Sequence, residues 1–204
     1  MARTGRPRGF DPGEVLRSAR DVFWASGYGG TSIQALVDRV GLERGSLYAA
    51  FGDKRRLYFE AVRLYWAEYE EVLRSALAQV PLLPALREVL VMPAQLGAAA
   101  SDPGAPHGCM VGNTAAELVP HDAEATALVA DAFDRFVGMT IEPLRQAQQR
   151  GEVSTASEPE AQARLLLVLA EGTALLARAG TDPAAAVAAI DAALAGLRAD
   201  AGDR

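Results

Sequence analysis

Residues Thr31 to Lys54 read TSIQALVDRVGLERGSLYAAFGDK, two short helical patterns separated by one glycine. Ile33, Leu36, Val37 and Val40 recur at i, i+3, i+4 and i+7, which places one apolar stripe on an α-helix. Thr31 or Ser32 supplies a side-chain oxygen to cap its start. Gly41 ends it, since glycine takes the left-handed conformation without steric cost. Leu47 and Phe51 resume the stripe four residues apart, while Glu43, Arg44, Gly45, Ser46 and Tyr48 face elsewhere. Helices joined by so tight a turn cross steeply, as a helix-turn-helix. The second helix of such a pair can enter a major groove about 12 Å wide, with its first residues reaching base edges. Gly45 permits close backbone approach, and Ser46, Tyr48 and Lys54 are donors suited to phosphate oxygens. Spacing alone leaves a second reading open, in which the pair packs only for stability.

The run from Gly41 to Phe51, GLERGSLYAAF, with Lys54 after it, resembles the signature of TetR-family transcriptional regulators. The resemblance covers roughly the first quarter of the chain. It implies an all-α protein with an N-terminal three-helix helix-turn-helix domain and a larger C-terminal helical domain that binds an effector and dimerises. It also implies that Tyr48 and Lys54 contact backbone phosphates while Arg44, Gly45 and Ser46 lie in the major groove. With Glu43 at the same leading edge and Thr31 and Ser32 at the start of the preceding helix, these form the expected DNA-binding set.

Upstream, Arg3, Arg6 and Arg8 alternate with Gly5, Pro7 and Gly9 and have almost nothing to bury. Arg6 and Arg8 are expected to lie in a narrow minor groove beside the reading helix; the alternative is a solvated tail that adds only non-specific attraction. Asp11, Pro12 and Glu14 together signal a helix start. Val15, Ala19, Val22 and Phe23 form that helix's buried stripe. Residues 1–66 carry 11 basic against 7 acidic residues, a net +4, whereas 67–204 carry 9 against 19, a net −10. The overall −6 thus conceals a basic module attached to an acidic body.

Downstream, a helical pattern runs from Asp53 to about Val80, with Tyr58, Val62, Tyr65, Tyr69, Val72, Ala76 and Val80 on one face. It is expected to connect a DNA-binding domain at 1–52 with an effector-binding and dimerisation domain at 53–204. In the resembled family, movement of this helix alters the spacing of two reading heads. Further helices are expected over about 84–100, over a short stretch before Pro120, and over 122–150, where Pro143 should kink or interrupt the helix. Two more follow over 160–179 and 183–199. A cavity between the long helices is expected to be lined by Trp66, Tyr69, Met92, Leu96, Met110, Asn113, Phe133, Phe136 and Met139, suiting a small apolar effector.

The segment around Gly108, Cys109, Met110 and Val111 is similar to one in several TetR-family members, some of which sense electrophiles or oxidants through that cysteine. Three readings of Cys109 stay open: a buried small hydrophobe, a candidate redox or electrophile sensor with a lowered thiol pKa, or a soft-metal ligand with His107, Met110 or Met92. No metal site is expected, because no metal-ligand spacing occurs.

The helix at 160–179 is apolar on every side in its centre, LLLVLA, and the last is mostly alanine. Both are expected to pack against their twins in a two-fold homodimer, as a four-helix bundle. Such a dimer suits a palindromic operator in double-stranded DNA. No phosphate-cradling glycine loop or nucleophile with a plausible base occurs, so neither an enzyme nor a cofactor is expected. No run of about 18 uncharged apolar residues occurs, no secretory signal is evident, and one cysteine cannot close an internal disulfide, so the expected setting is cytoplasmic. The expected function is a ligand- or redox-responsive repressor released from its operator by an apolar or electrophilic effector. The rival is a helical ligand-binding or detoxifying protein without specific DNA binding.

Overall fold

The computed structural model describes residues 10–99 and 107–199, except the side chains of 97–99. These residues form nine helices and no strand: α1 Pro12–Gly30, α2 Ile33–Val40, α3 Arg44–Phe51, α4 Lys54–Leu77, α5 Leu82–Ala99, α6 Met110–Leu118, α7 Ala123–Gln149, α8 Pro159–Arg178 and α9 Pro183–Gly196. The fold is all-α. Arg6 and Arg8 lie outside the described residues. No described helix is long and apolar enough to cross a membrane.

Local signals set most boundaries. Asp11 caps α1 by accepting from Gly13 N–H at 2.8 Å, and Asp53 caps α4 by accepting from Arg56 N–H at 2.8 Å. Gly41 closes α2 in the left-handed conformation, at φ 68°. Asp122 caps α7 through the N–H groups of Glu124 and Ala125. Each carboxylate satisfies amides that have no partner within their own helix and sits at the positive end of the helix dipole.

Three expectations are corrected. Pro143 does not interrupt α7, which runs unbroken over 27 residues; its packing along α8 outweighs one missing hydrogen bond. Val72 and Val80 are exposed, at 44% and 69%: Val72 borders a cavity instead of the core that its neighbour Leu73 enters, and Val80 lies past the end of α4. The last helix stops at Gly196 rather than 199. Beyond it the chain pairs with another segment, Ser154 N–H donating to the Leu197 carbonyl and Ala199 N–H to the Glu152 carbonyl.

Buried side chains gather in two clusters. One joins Leu73 of α4 to the inner faces of α5, α7, α8 and α9. The other joins α1, α2 and α3 to the first half of α4, to Met110 and Val111 of α6, and to Ala125, Val129 and Ala132 of α7. The three N-terminal helices are too few to bury an adequate core alone, and the second cluster supplies the rest from α4, α6 and α7. Any shift of α6 or of the start of α7 therefore acts on the packing of the reading helices.

Candidate nucleic-acid interface and effector cavity

Leu47 and Phe51 anchor α3 in the core, at 1% and 6% exposure, and so turn its opposite edge outward. Glu43, Arg44, Gly45 and Ser46 are all exposed along that edge. A Cβ added at Gly45 would meet nothing within 4 Å, so the backbone there is open to a partner. Glu43 precedes the helix without making a side-chain cap, which leaves its carboxylate and the first amides of α3 free to meet a ligand. Tyr48 is half-buried, with the Arg44 guanidinium 5.4 Å from its ring centre. Lys54 opens α4 and holds its ammonium 4.4 Å from the ring centre of Tyr28, an arrangement that restrains the side chain while leaving its charge in place.

Ser32 is exposed and caps α2 by accepting from Ala35 N–H at 3.0 Å, which keeps its own hydroxyl hydrogen available. Thr31 departs from the expected set. It is buried at 2% exposure, and its hydroxyl donates to the Gly27 carbonyl at 2.7 Å. Thr31 thus closes the last turn of α1, with its hydroxyl already engaged and not offered to a phosphate.

Polar contacts tie this reading unit to the helices behind it. Trp24 Nε1 donates to the Gly108 carbonyl at 3.1 Å, and Tyr28 N–H donates to the Glu117 carboxylate at 2.6 Å. Tyr58 and Thr114 share a buried hydroxyl–hydroxyl bond of 2.8 Å between α4 and α6. Arg55, in the first turn of α4, forms a two-pronged pair with Asp122 and also reaches Glu124, to which Arg63 bonds at 2.7 Å. That pairing fastens the start of the connecting helix to the start of α7.

A cavity of about 190 Å³ lies between α1, α4, α5 and α8. Of the expected lining, it includes Tyr69, Met92 and Leu96. Asn113 and Phe133 line a neighbouring cleft between α6, α7 and α8. Trp66 faces an outer groove beside Arg63, Glu70 and Arg135. Met110, Phe136 and Met139 are core: Met110 belongs to the cluster beneath the reading helices, Phe136 to the other, and Met139 packs against the latter.

The walls that sequence reasoning missed are Trp24 and Tyr65, with Cys109 and Glu171 between them. Tyr65 falls on the apolar face of α4 and Trp24 within α1, so spacing marks neither as a cavity wall. Glu171 carries a retrospective signal, as a single charge directly after the apolar run LLLVLA. It is held close: Glu171 Oε2 stands 2.2 Å from where a Cβ on Gly112 would be, so Gly112 makes room for it.

Cys109 precedes α6, and its sulfur accepts from Gly112 N–H at 3.4 Å. Burial, and then the Glu171 carboxylate, push its thiol up to about 12. A helix N-terminus alone favours a thiolate, and here low-dielectric surroundings with a neighbouring negative group outweigh it. Burial likewise raises the Glu171 carboxyl, with its Cys109 hydrogen bond pulling the other way. Glu70 provides the contrast: it is more enclosed than Glu171, yet Arg74 and Arg135 both bond to it. Among the described residues no group of three or more His, Cys, Asp or Glu side chains gathers to hold a metal.

Comparison with known proteins agrees with this architecture. Residues 15–61 match the family model for bacterial regulatory proteins of the tetR family. Residues 85–193 match the tetracyclin repressor-like C-terminal domain. The chain is 32% identical over 152 residues to the uncharacterized HTH-type transcriptional regulator YezE of Bacillus subtilis, covering 74% of this chain and 76% of that one. It is 25% identical over 178 residues to the HTH-type transcriptional repressor ComR of Escherichia coli, covering 86% and 83%. Among solved structures, a cysteine mutant of the TetR family regulator CifR complexed with 26bp double-strand operator DNA superposes with a TM-score of 0.77 at 26% identity. That likeness covers 95% of this chain and 100% of the other. A matched family model at each end, a relative aligned across three-quarters of the sequence and the helix-turn-helix geometry itself agree, and this chain belongs to the TetR family of DNA-binding transcriptional regulators.

Proposed function

We propose that the protein is a homodimeric repressor that holds a palindromic operator and releases it when a small, largely apolar effector enters the cavity beside Trp24. The observation that carries this reading is that one residue serves both ends. Trp24 belongs to α1, which braces the reading helices, and it also walls the cavity and bonds to Gly108 just ahead of α6. An effector that moves this wall changes the packing beneath α2 and α3. It shifts the equilibrium only by as much as it prefers the released arrangement.

In this reading residues 1–52 form the DNA-binding unit and 53–204 the control unit, with the helix over 53–80 as the lever between them. Glu43, Arg44, Gly45 and Ser46 face base edges, while Ser32, Tyr48 and Lys54 grip phosphates and Arg6 and Arg8 follow the minor groove. Dimerisation is supported by the outer face of α8, where Leu165, Val168, Leu175 and Leu176 are exposed at 41–66% in a stripe along one side. An apolar stripe of that length on a described surface calls for a partner, and a second copy supplies one with the two-fold symmetry that a palindrome requires. Selection of bound duplexes from a random pool should yield an inverted repeat. Recovery of no preferred sequence would leave only a helical ligand-binding protein.

A further inference from the structure

The cavity has an aromatic wall and one carboxyl group. Trp24 and Tyr65 meet edge-on with ring centres 4.7 Å apart, and Tyr65 stacks with Tyr69 at 6.4 Å. Glu171 enters the same space from α8. A second carboxylate there, Glu68, is already paired with Arg20. No ion pair among the described residues engages Glu171. Arg178, two turns further along α8, donates to the Trp24 carbonyl at 3.3 Å instead. Within the cavity Glu171 meets Cys109, Tyr65 and Tyr69, all neutral; Glu117 and Arg178 share the adjoining cleft with it.

We infer that the effector is a small organic amine, bound as its cation with the ammonium on Glu171 and its apolar body against Trp24, Tyr65 and Tyr69. This rests on the reading of the cavity as the effector site. A positive charge is attracted by the faces of aromatic rings, and a charge-assisted bond to a carboxylate is about twice as strong as a neutral one. The raised proton affinity of the Glu171 carboxyl reflects a half-buried acid without a counter-ion, the deficit that an ammonium would fill. A carboxylate ligand is disfavoured on the same grounds, since it would set two negative groups together with no cation to separate them. The volume, about 190 Å³, is below the span of about 300–1,000 Å³ common for drug-sized ligands, which points to a compact molecule.

Calorimetric titration of the full-length protein with 2-phenylethylammonium, 2-phenylethanol and phenylacetate tests this, because the three share a body and differ in charge. The amine should bind at least about tenfold more tightly than the alcohol, with phenylacetate weakest. Glu171→Gln should erase the advantage of the amine over the alcohol. Tyr69→Leu, a second variant independent of the carboxyl, should weaken the amine severalfold more than the alcohol. Alcohol or phenylacetate binding as tightly as the amine, or an unaltered amine affinity in Glu171→Gln, would overturn the assignment while leaving the cavity as a ligand site. Failure of all three probes to bind at millimolar concentration would overturn the cavity reading and the amine with it.

Discussion

Glu117 of α6 accepts the backbone N–H of Tyr28 at 2.6 Å and occupies the space beside Gly27 where any larger residue would place its Cβ. Eighty-nine positions separate the two partners in sequence, and their bond joins the control helices to the end of α1. Gly27 sits at φ 73° and ψ 176°, a region that side-chain-bearing residues avoid. Gly27→Ala should therefore cost about 1–3 kcal/mol by urea unfolding. Glu117→Ala, at an exposed bond, should cost less than about 1 kcal/mol, yet it should reduce the effector-induced loss of DNA affinity measured by fluorescence anisotropy. An unchanged effector response in that variant would show that the link is structural only.

The outward edge of α3 separates two kinds of contact. Lys54→Ala should weaken binding to all duplexes alike and lower the salt slope by about one. Tyr48→Phe should also act uniformly, whereas Arg44→Ala should change which sequences are preferred. A uniform loss from the Arg44 change would place that side chain on phosphate rather than on bases.

The apolar stripe of α8 should govern assembly. Val168 and Leu175 are each 66% exposed, so glutamate at both positions should leave the subunit folded but monomeric in sedimentation. Operator affinity should fall with it, because two linked half-sites bind far more tightly than one. A double variant that stays dimeric would move the interface elsewhere.

The carboxyl of Glu171 makes stability fall as pH rises. Burial lifts its proton affinity above the ordinary carboxylate value, partly offset by Cys109. Below that ordinary value the folded and unfolded chains both hold the proton, and the residue makes no difference. Through the window between the ordinary and the raised value, the unfolded chain releases the proton more readily than the folded one, so folding is increasingly penalised. Glu171→Gln should thus be stabilising at pH 7.5 and nearly neutral at pH 4, as read from urea midpoints at the two pH values. A stability difference independent of pH would show that the carboxyl is well solvated.

Cys109 should be a poor nucleophile. With its thiol pushed up to about 12, alkylation by iodoacetamide at pH 7.5 should run on the order of a hundredfold slower than in the unfolded chain. Glu171→Gln should speed it, by removing a negative neighbour. Rapid labelling of the native protein would restore the sensor reading that the similarity of residues 108–111 suggests.

Much of the helix-turn-helix was legible before any coordinates, because its determinants are close together in sequence. Ser32, Gly41 and Asp53 act within a few residues of the backbone they cap or turn, and Leu47 and Phe51 reveal by spacing which edge of α3 must face out. Thr31 and Ser32 show the limit of that reasoning. Both are plausible caps of α2, and their bonds separate them: Thr31 reaches back to the Gly27 carbonyl and closes α1, while Ser32 opens α2.

The cavity was decided by tertiary structure alone. Its walls come from positions 24, 65, 109 and 171, on elements that periodicity describes one at a time, and no local pattern states which of several apolar faces will meet. Phe136 and Met110, expected at a cavity wall, have the space around them filled by their neighbours, while Trp24 and Glu171 border space that is left open. Local chemistry thus determined the reading head, through hydrogen bonds and rotamers that span a turn or two. The assembly of helices determined the effector chamber, since a void is a property of how surfaces fail to fit and belongs to no single segment.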